Sequence, residues 1–318
     1  MNIAILCVTN YYSGTAEQFF RSAIESLGHE VSIVSMSEPG AEGKLLSRKF
    51  DLIIHIPYPK AFRQEVIRDI SKNSKTLTLG WMGDDEWLWT SNDPHSPKLI
   101  AHDYDYCVTT SRESLPLYKA MGYENVILGQ WGFCELDWKP KKLKKEIDVY
   151  FCGARSAERD VYIKELMKAK INMVVDGIEY GISSYDKYYQ PLVQKNGQWV
   201  RSKLDFEDMV HRIRVARIGL NFNFGVKNGK LYEQIKQRMF EIPAVGTFQL
   251  AYGAKEVSRF FRPGLEIGTF KNPQDMIKKI KYYLAHEEER EEIAKRGHQA
   301  NKVNSYQRIF KRIFKEIQ

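Results

Sequence analysis

Two acids and one guanidinium group draw attention within residues 231–270, LYEQIKQRMFEIPAVGTFQLAYGAKEVSRFFRPGLEIGTF: Glu233 and Glu241, eight positions apart, flank Arg238. Carboxylates accept hydrogen bonds from hydroxyls and a guanidinium group answers phosphate, so one short element could deliver both to a ligand that carries both. The stretch reads as a helix stopped at Gly246, its last turn weakened by Pro243, with an apolar strand over 247–251 following at once. In a helix, eight residues leave the two acids about 80° apart around the axis, so both border one site only if Glu233 lies at or before the first turn. Solvated surface groups produce the same spacing, so it does not decide function by itself.

A second basic constellation begins after a strand predicted over 147–152. Gly153 is followed by Arg155 and Arg159, and a helix is predicted over 160–169. A glycine that lets the backbone approach, a helix terminus offering amides and an arginine offering paired donors form a diphosphate cradle. An exposed arginine pairing along the helix is the competing reading. Lys230, in a loop predicted over 225–230, is placed to approach phosphate or simply to be solvated.

Two loops in the first half fall at carboxyl ends of predicted strands, the edge that faces ligand in an open parallel sheet. One carries Ser13 and Gly14. The other, WMGDDEWLW at 81–89, sets Asp84 among tryptophans, an arrangement suited to holding a polyol by carboxylate hydrogen bonds and ring stacking. Its alternative is a helix N-terminus with acids favouring the dipole and tryptophans in the core. Consecutive acids without further ligands are a weak metal signal, and no metal site is predicted.

The positioning elements alternate. Strands are expected over 2–9, 30–36, 51–57, 76–81, 106–110 and 125–128, with helices over 16–27, 62–71 and 112–121. That alternation implies a parallel sheet with right-handed crossovers. No glycine fingerprint follows the first strand, which disfavours a dinucleotide site and a NAD-linked oxidoreductase. With 318 residues the chain suits two α/β domains. The expected division is a Rossmann-like acceptor-side domain over 1–138, a basic linker over 139–146 and a second Rossmann-like domain over 147–300. A final helix over 301–318 packs its apolar stripe back on the first domain or lies on a membrane surface. Residues 177–203 carry no assignable pattern.

Composition narrows the partners. A net charge of +8 favours anionic ligands: nucleoside diphosphates, lipid phosphates, anionic membrane surfaces or nucleic acid. Nucleic acid is the weakest of these, because neither zinc-finger spacing nor an RNP-type signature is present. Cys7, Cys107, Cys134 and Cys152 show no C-x-x-C and read as reduced thiols of a cytoplasmic protein. No run approaches a membrane span, and residues 2–8 lack a leader's features.

The motifs RMFEIPAVG at 238–246, FFRPGLEI at 260–267, YYLAH from 282 and REEIAKRG at 290–297 resemble the C-terminal signature of the CgeB-like glycosyltransferases. These are similar to the larger group of retaining enzymes with E-x7-E and the GT-B fold, two Rossmann-like parallel-sheet domains facing each other across a cleft. The resemblance implies a nucleotide-sugar substrate without further cofactor, and hexosyl or related transfer to a glycan, lipid-linked or protein acceptor. It implies that Glu241 meets the ribose and Glu233 the donor sugar, with Arg238 and Arg159, preferred to Arg155, on the diphosphate. Gly264 and Glu266 are carried as residues shaping the donor site. Ser13, Gly14 and Asp84 meet the acceptor, Asp84 and Glu233 being the catalytic candidates. The rival functions are a non-catalytic scaffold of the same fold and another nucleotide-sugar enzyme such as an epimerase. A cytoplasmic location, extending to the inner face of the membrane, follows from the same reading.

Overall fold

The computed structural model describes residues 1–8, 16–36, 38–57, 63–83, 97–153, 155–176, 193–195, 198–200, 206–227 and 230–317. Two units divide the chain: Met1–Asp137 with Asn304–Gln318, and Trp138–Val303.

In the first unit the order is β1 (Asn2–Cys7), α1 (Ala16–Glu25), β2 (Glu30–Ser35), α2 (Ala41–Ser47), β3 (Leu52–His55), α3 (Gln64–Asn73), β4 (Leu77–Met82), α4 (Pro97–Ile100), β5 (Tyr106–Thr109), α5 (Leu115–Ala120) and β6 (Val126–Leu128). The six strands form one parallel sheet in the order β2-β1-β3-β4-β5-β6. Ile3, Ala4, Ile5 and Leu6 are all fully buried, as expected of an inner parallel strand covered on both faces.

The second unit begins with β7 (Ile147–Cys152), α6 (Ala157–Lys168) and β8 (Met173–Asp176), then β9 (Val193–Lys195) paired antiparallel with β10 (Gln198–Val200). It continues through α7 (Phe206–Val215), β11 (Ala216–Asn221), β12 (Phe224–Lys227), β13 (Lys230–Glu233), α8 (Arg238–Ala244), β14 (Phe248–Tyr252), β15 (Gly268–Phe270), α9 (Pro273–Ala285) and α10 (Glu287–Asn301). Its parallel sheet runs β15-β14-β11-β7-β8. The two units therefore share a plan: the first strand of each lies between its second and its third. The order reverses direction there, between β1 and β3 in one unit and between β7 and β11 in the other. At such a switch point the flanking loops run away from each other and leave a crevice at the carboxyl ends of the strands.

Two expectations need correction. The helix α8 carries Arg238 and Glu241 as expected, while Glu233 lies before it, in a strand over 230–233. Leu231, Ile235 and Met239 recur at helical spacing, yet cross-strand pairing from Phe224↔Glu233 to Lys227↔Lys230 overrides it. The predicted loop over 225–230 accordingly contributes to both strands of that hairpin. The sequence over 218–224, with Asn221 and Asn223 alternating, reads as one strand, but in the structure the strand begins earlier, at Ala216, and ends at Asn221.

The last helix, α11 (Tyr306–Glu316), belongs to the first unit. Ser305 caps it by accepting from the Arg308 amide, and Tyr306, Ile309, Phe310, Ile313 and Phe314 form its buried face. Phe20 of α1 meets both Tyr306 and Phe310 edge-on, at centroid distances of 4.8 and 4.9 Å. Trp81 packs into the same cluster against Phe20 and Phe310, so its ring is core and not part of a sugar-stacking surface. Among the described residues, no helix is long and apolar enough to cross a membrane. Replacing Phe310 by alanine is expected to cost about 3–5 kcal/mol of stability, read as a lowered denaturant midpoint at constant m.

Candidate functional site

Arg238, Glu241 and Arg159 lie near the switch point of the second unit. The helix α8 leans closely on β11 because Gly219 has no side chain: a Cβ there would stand 2.6 Å from Ile242 Cγ2. Its first turn then lies near the carboxyl end of β7, where the Arg238 charge acts on Tyr150 and Cys152. Arg238 Nη1 donates to Glu241 Oε2 at 2.5 Å, and Gln237 Nε2 donates to Glu241 Oε1 at 2.9 Å. The Arg238 side chain keeps 22% of its surface exposed, while that of Glu241 keeps 3%. Burial pushes the Glu241 carboxyl up, more strongly than Arg238 and Gln237 draw it down. Burial also works against the Arg238 charge, but Glu241, Cys152 and Tyr150 outweigh it and hold the guanidinium above its ordinary value. The pair thus presents a permanent cation from a buried base. Glu241 is enclosed, with each oxygen already accepting a hydrogen bond, so the expected contact between its carboxylate and ribose hydroxyls is not preformed.

Beside this pair the chain leaves β7 at Gly153 and enters α6, whose cap Ser156 accepts from the Arg159 amide at 3.3 Å. The two arginines of this loop part company. Arg155 is drawn onto Asp160 in the first turn, with Nη2 2.7 Å from Oδ2. Arg159 lies over the Phe151 ring at 5.7 Å from its centre, its Nη1 only 3.4 Å from where a Cβ of Gly153 would be. The structure therefore brings Arg159 to the glycine and ties Arg155 to the helix. One neighbour was missed in the sequence: Asp176, the last residue of β8, accepts from Arg212 Nη1 at 2.7 Å on both oxygens. Burial raises its carboxyl against the pull of Arg212. An acid closing the apolar run MVVD was the available signal.

Glu233 serves a different part of the edge. It accepts from the amides of Glu256, at 2.7 Å, and Ala254, at 3.4 Å, so its carboxylate fastens the loop that leaves β14. Gly253 in that loop has φ +80°, and a Cβ on it would fall 2.5 Å from the Glu233 carboxyl carbon. Between Glu233 and Arg238 the chain is held by buried Asn223. Its Oδ1 accepts from Asn221 Nδ2 at 3.0 Å and from the Lys236 amide at 3.4 Å. Asn221 and Asn223 were visible as an alternation on a strand, but their function in fixing the approach to α8 was not.

Gly264 and Glu266 lie elsewhere, which corrects their expected place in the donor site. Leu250 pairs with Gly268 in parallel register, so residues 264–266 precede β15 at the amino edge of the sheet, opposite Glu233 and its loop. There Gly264 takes φ +79° in a turn, and Glu266 accepts from the Arg262 amide and Nε, each at 2.8 Å. Ser13, Gly14 and Asp84, with Trp87 and Trp89, lie outside the described residues. For Lys230 the strand position alone is described. No group of three or more His, Cys, Asp or Glu residues suited to a metal ion occurs among the described residues.

Residues 160–315 match the family described as "Glycosyl transferase-like". No curated protein matches the chain at the sequence level. Among solved structures, HepE of Anabaena in complex with UDP-glucose is similar at 11% identity and a TM-score of 0.67, over 100% of this chain and 99% of that one. Sucrose-phosphate synthase from Thermosynechococcus elongatus is similar at 12% identity and a TM-score of 0.66, over 99% and 98%. The DNA-modifying enzyme β-glucosyltransferase is similar at 14% identity and a TM-score of 0.57, over 99% of each chain. The fold shared with such proteins is GT-B, with two parallel-sheet α/β domains.

Two measurements check this geometry. Gly253→Ala is expected to destabilise the chain by about 1–3 kcal/mol, from strain at positive φ together with overlap on Glu233. A variant as stable as the wild type would contradict the Glu233 contact. The raised Glu241 carboxyl means that the folded chain binds this proton more tightly than the unfolded one. Its contribution to stability therefore falls as pH rises from 4.5 through the raised value. Glu241→Gln is expected to make the decline of denaturant stability over that range shallower than in the wild type.

Proposed function

We propose that this chain is a CgeB-like glycosyltransferase that moves a sugar from a nucleoside diphosphate to a hydroxyl-bearing acceptor, with retention of configuration and without a metal ion. The observation that carries the reading is the partly exposed Arg238 charge, held by buried Glu241 at the β7/β11 switch point. The family match over 160–315 spans both residues, and the similar HepE structure holds UDP-glucose, which makes UDP the first donor nucleoside to try.

In this reading the diphosphate lies between Arg238 and the start of α6, where Gly153 admits it and Arg159 adds a second charge. Lys230 comes from the hairpin. The acceptor oxygen bonds to the anomeric carbon as the bond from that carbon to the diphosphate oxygen breaks. The departing nucleoside diphosphate keeps the electron pair and takes the acceptor proton. Arginine charge stabilises the growing negative charge, an electrostatic contribution largest where water is excluded. Glu233 acts on the donor sugar through the loop it fastens, and Glu241 acts through Arg238. Ser13, Gly14 and Asp84 are assigned to the acceptor. The acceptor is a glycan, a lipid-linked sugar or a protein, met in the cytoplasm or at the inner face of an anionic membrane.

A thermal-shift series with UDP, GDP, TDP and NAD tests the donor site. A nucleoside diphosphate at a hundred times its Kd is expected to add about 2.7 kcal/mol, and NAD nothing. Replacing Arg238 and Glu241 together by glutamine removes the cation without stranding a buried carboxylate. The double variant is expected to fold and to lose at least about tenfold in nucleotide affinity. An unchanged response in it, or no response in the wild type, would count against the proposal. Proton NMR of the product's anomeric centre decides retention.

A further inference from the structure

Under the first turn of α8 the second sheet is polar where a core would ordinarily be apolar. Phe222 and Phe224 turn from the end of β11 into the hydrophobic cluster, while Asn221 and Asn223 turn toward α8. Gln249 of β14 joins them. The side-chain amide nitrogens of Asn223, Gln249 and Asn221 face Met239 Sδ from 3.0, 3.6 and 3.9 Å, and all four residues are buried. A thioether is a weak acceptor and a buried amide is costly unless its hydrogen bonds are made, so apolar residues would give a more stable seat. The amides add direction instead.

Asn223 makes most of the directed bonds. Its backbone carbonyl accepts from the Gln234 amide at 3.0 Å, and its Oδ1 accepts from the Lys236 amide at 3.4 Å. A backbone amide can only donate, which turns Oδ1 toward Lys236 and leaves Nδ2 to face Met239. One buried residue thus holds the chain at 234, 236 and 239, on both sides of Arg238. Gln237, at the cap position of α8, makes no side-chain capping bond and donates instead to Glu241 Oε1. The start of α8, and with it Arg238, is therefore placed from the end of β11.

We propose that Asn223 is a positioning residue for the transfer reaction, setting where the Arg238 guanidinium stands at the β7/β11 switch point and so how well it meets the donor diphosphate. This rests on the glycosyltransferase reading, which gives Arg238 its ligand. The placement of Arg238 by Asn223 stands apart from that reading and is tested apart from it.

Cys152 reports that placement without a nucleotide. It is partly exposed where Cys7, Cys107 and Cys134 are buried, and the Arg238 charge draws its thiol down against the upward push of burial. Iodoacetamide labelling of the whole protein, followed residue by residue by mass spectrometry, gives the pH midpoint of its reaction. Asn223→Ala is expected to raise that midpoint toward its value in Arg238→Gln/Glu241→Gln, which lacks the cation. Met239→Leu keeps the volume and removes the sulfur, and is expected to shift the midpoint the same way if Asn223→Ala does not fold. An unchanged midpoint in whichever of the two folds overturns the assignment. UDP affinity then separates positioning from general loosening. Asn223→Ala is expected to bind UDP severalfold more weakly than the wild type, yet to add no further loss in the Arg238→Gln/Glu241→Gln background, because it acts through Arg238. The same loss in both backgrounds also overturns it. A wild type that shows no thermal shift with UDP counts against the donor reading alone, because the Cys152 midpoint is measured without UDP.

Discussion

A buried carboxylate holding a partly exposed guanidinium group is the constraint around which the second unit is arranged. Glu241 is withdrawn from water, which raises its carboxyl, and Arg238 is retained beside it as a cation. A pair like this adds little to net stability, because desolvation consumes most of the attraction. It does fix geometry, since either charge left alone in that position would be costly. The result is a positive group aimed at the carboxyl edge of β7 and β11.

Several ordinary packing choices serve that placement. Gly219 on β11 lets Ile242 approach, which sets the depth of α8. Asn223 ties residues 234–236 to the end of the sheet, so the chain reaches Arg238 along a defined path. Glu233 fastens the loop beyond β14 through two amides, and Gly253 makes room for it. The two acids of the E-x7-E spacing therefore do unlike work. One holds backbone and the other holds charge, and the strand-to-helix break between them makes their helical angle irrelevant.

The repeated strand order in the two units has a physical consequence for ligands. Each sheet reverses its direction of growth beside its first strand, and in the second unit the buried acid Glu241 lies close to that reversal. In the second unit the acid is matched by arginine and the edge presents positive charge, suited to phosphate.

Much of the architecture was legible in the chain itself, because buried parallel strands and amphipathic helices write strong local patterns. Residues 3–6 and the apolar stripe of 306–317 announce their elements, and glycine and arginine after 147–152 announce a loop fit for phosphate. Three things lay beyond that reading. The strand over 230–233 forms because a partner strand overrides helical spacing, a contact no local window contains. The separate fates of Arg155 and Arg159 depend on which reaches Asp160 and which reaches Gly153, a matter of a few ångströms. The burial of Glu241 arises from side chains distant in sequence. The residue types set what chemistry was possible. Tertiary packing decided which charges were matched, because burial and pairing are properties of neighbours in space.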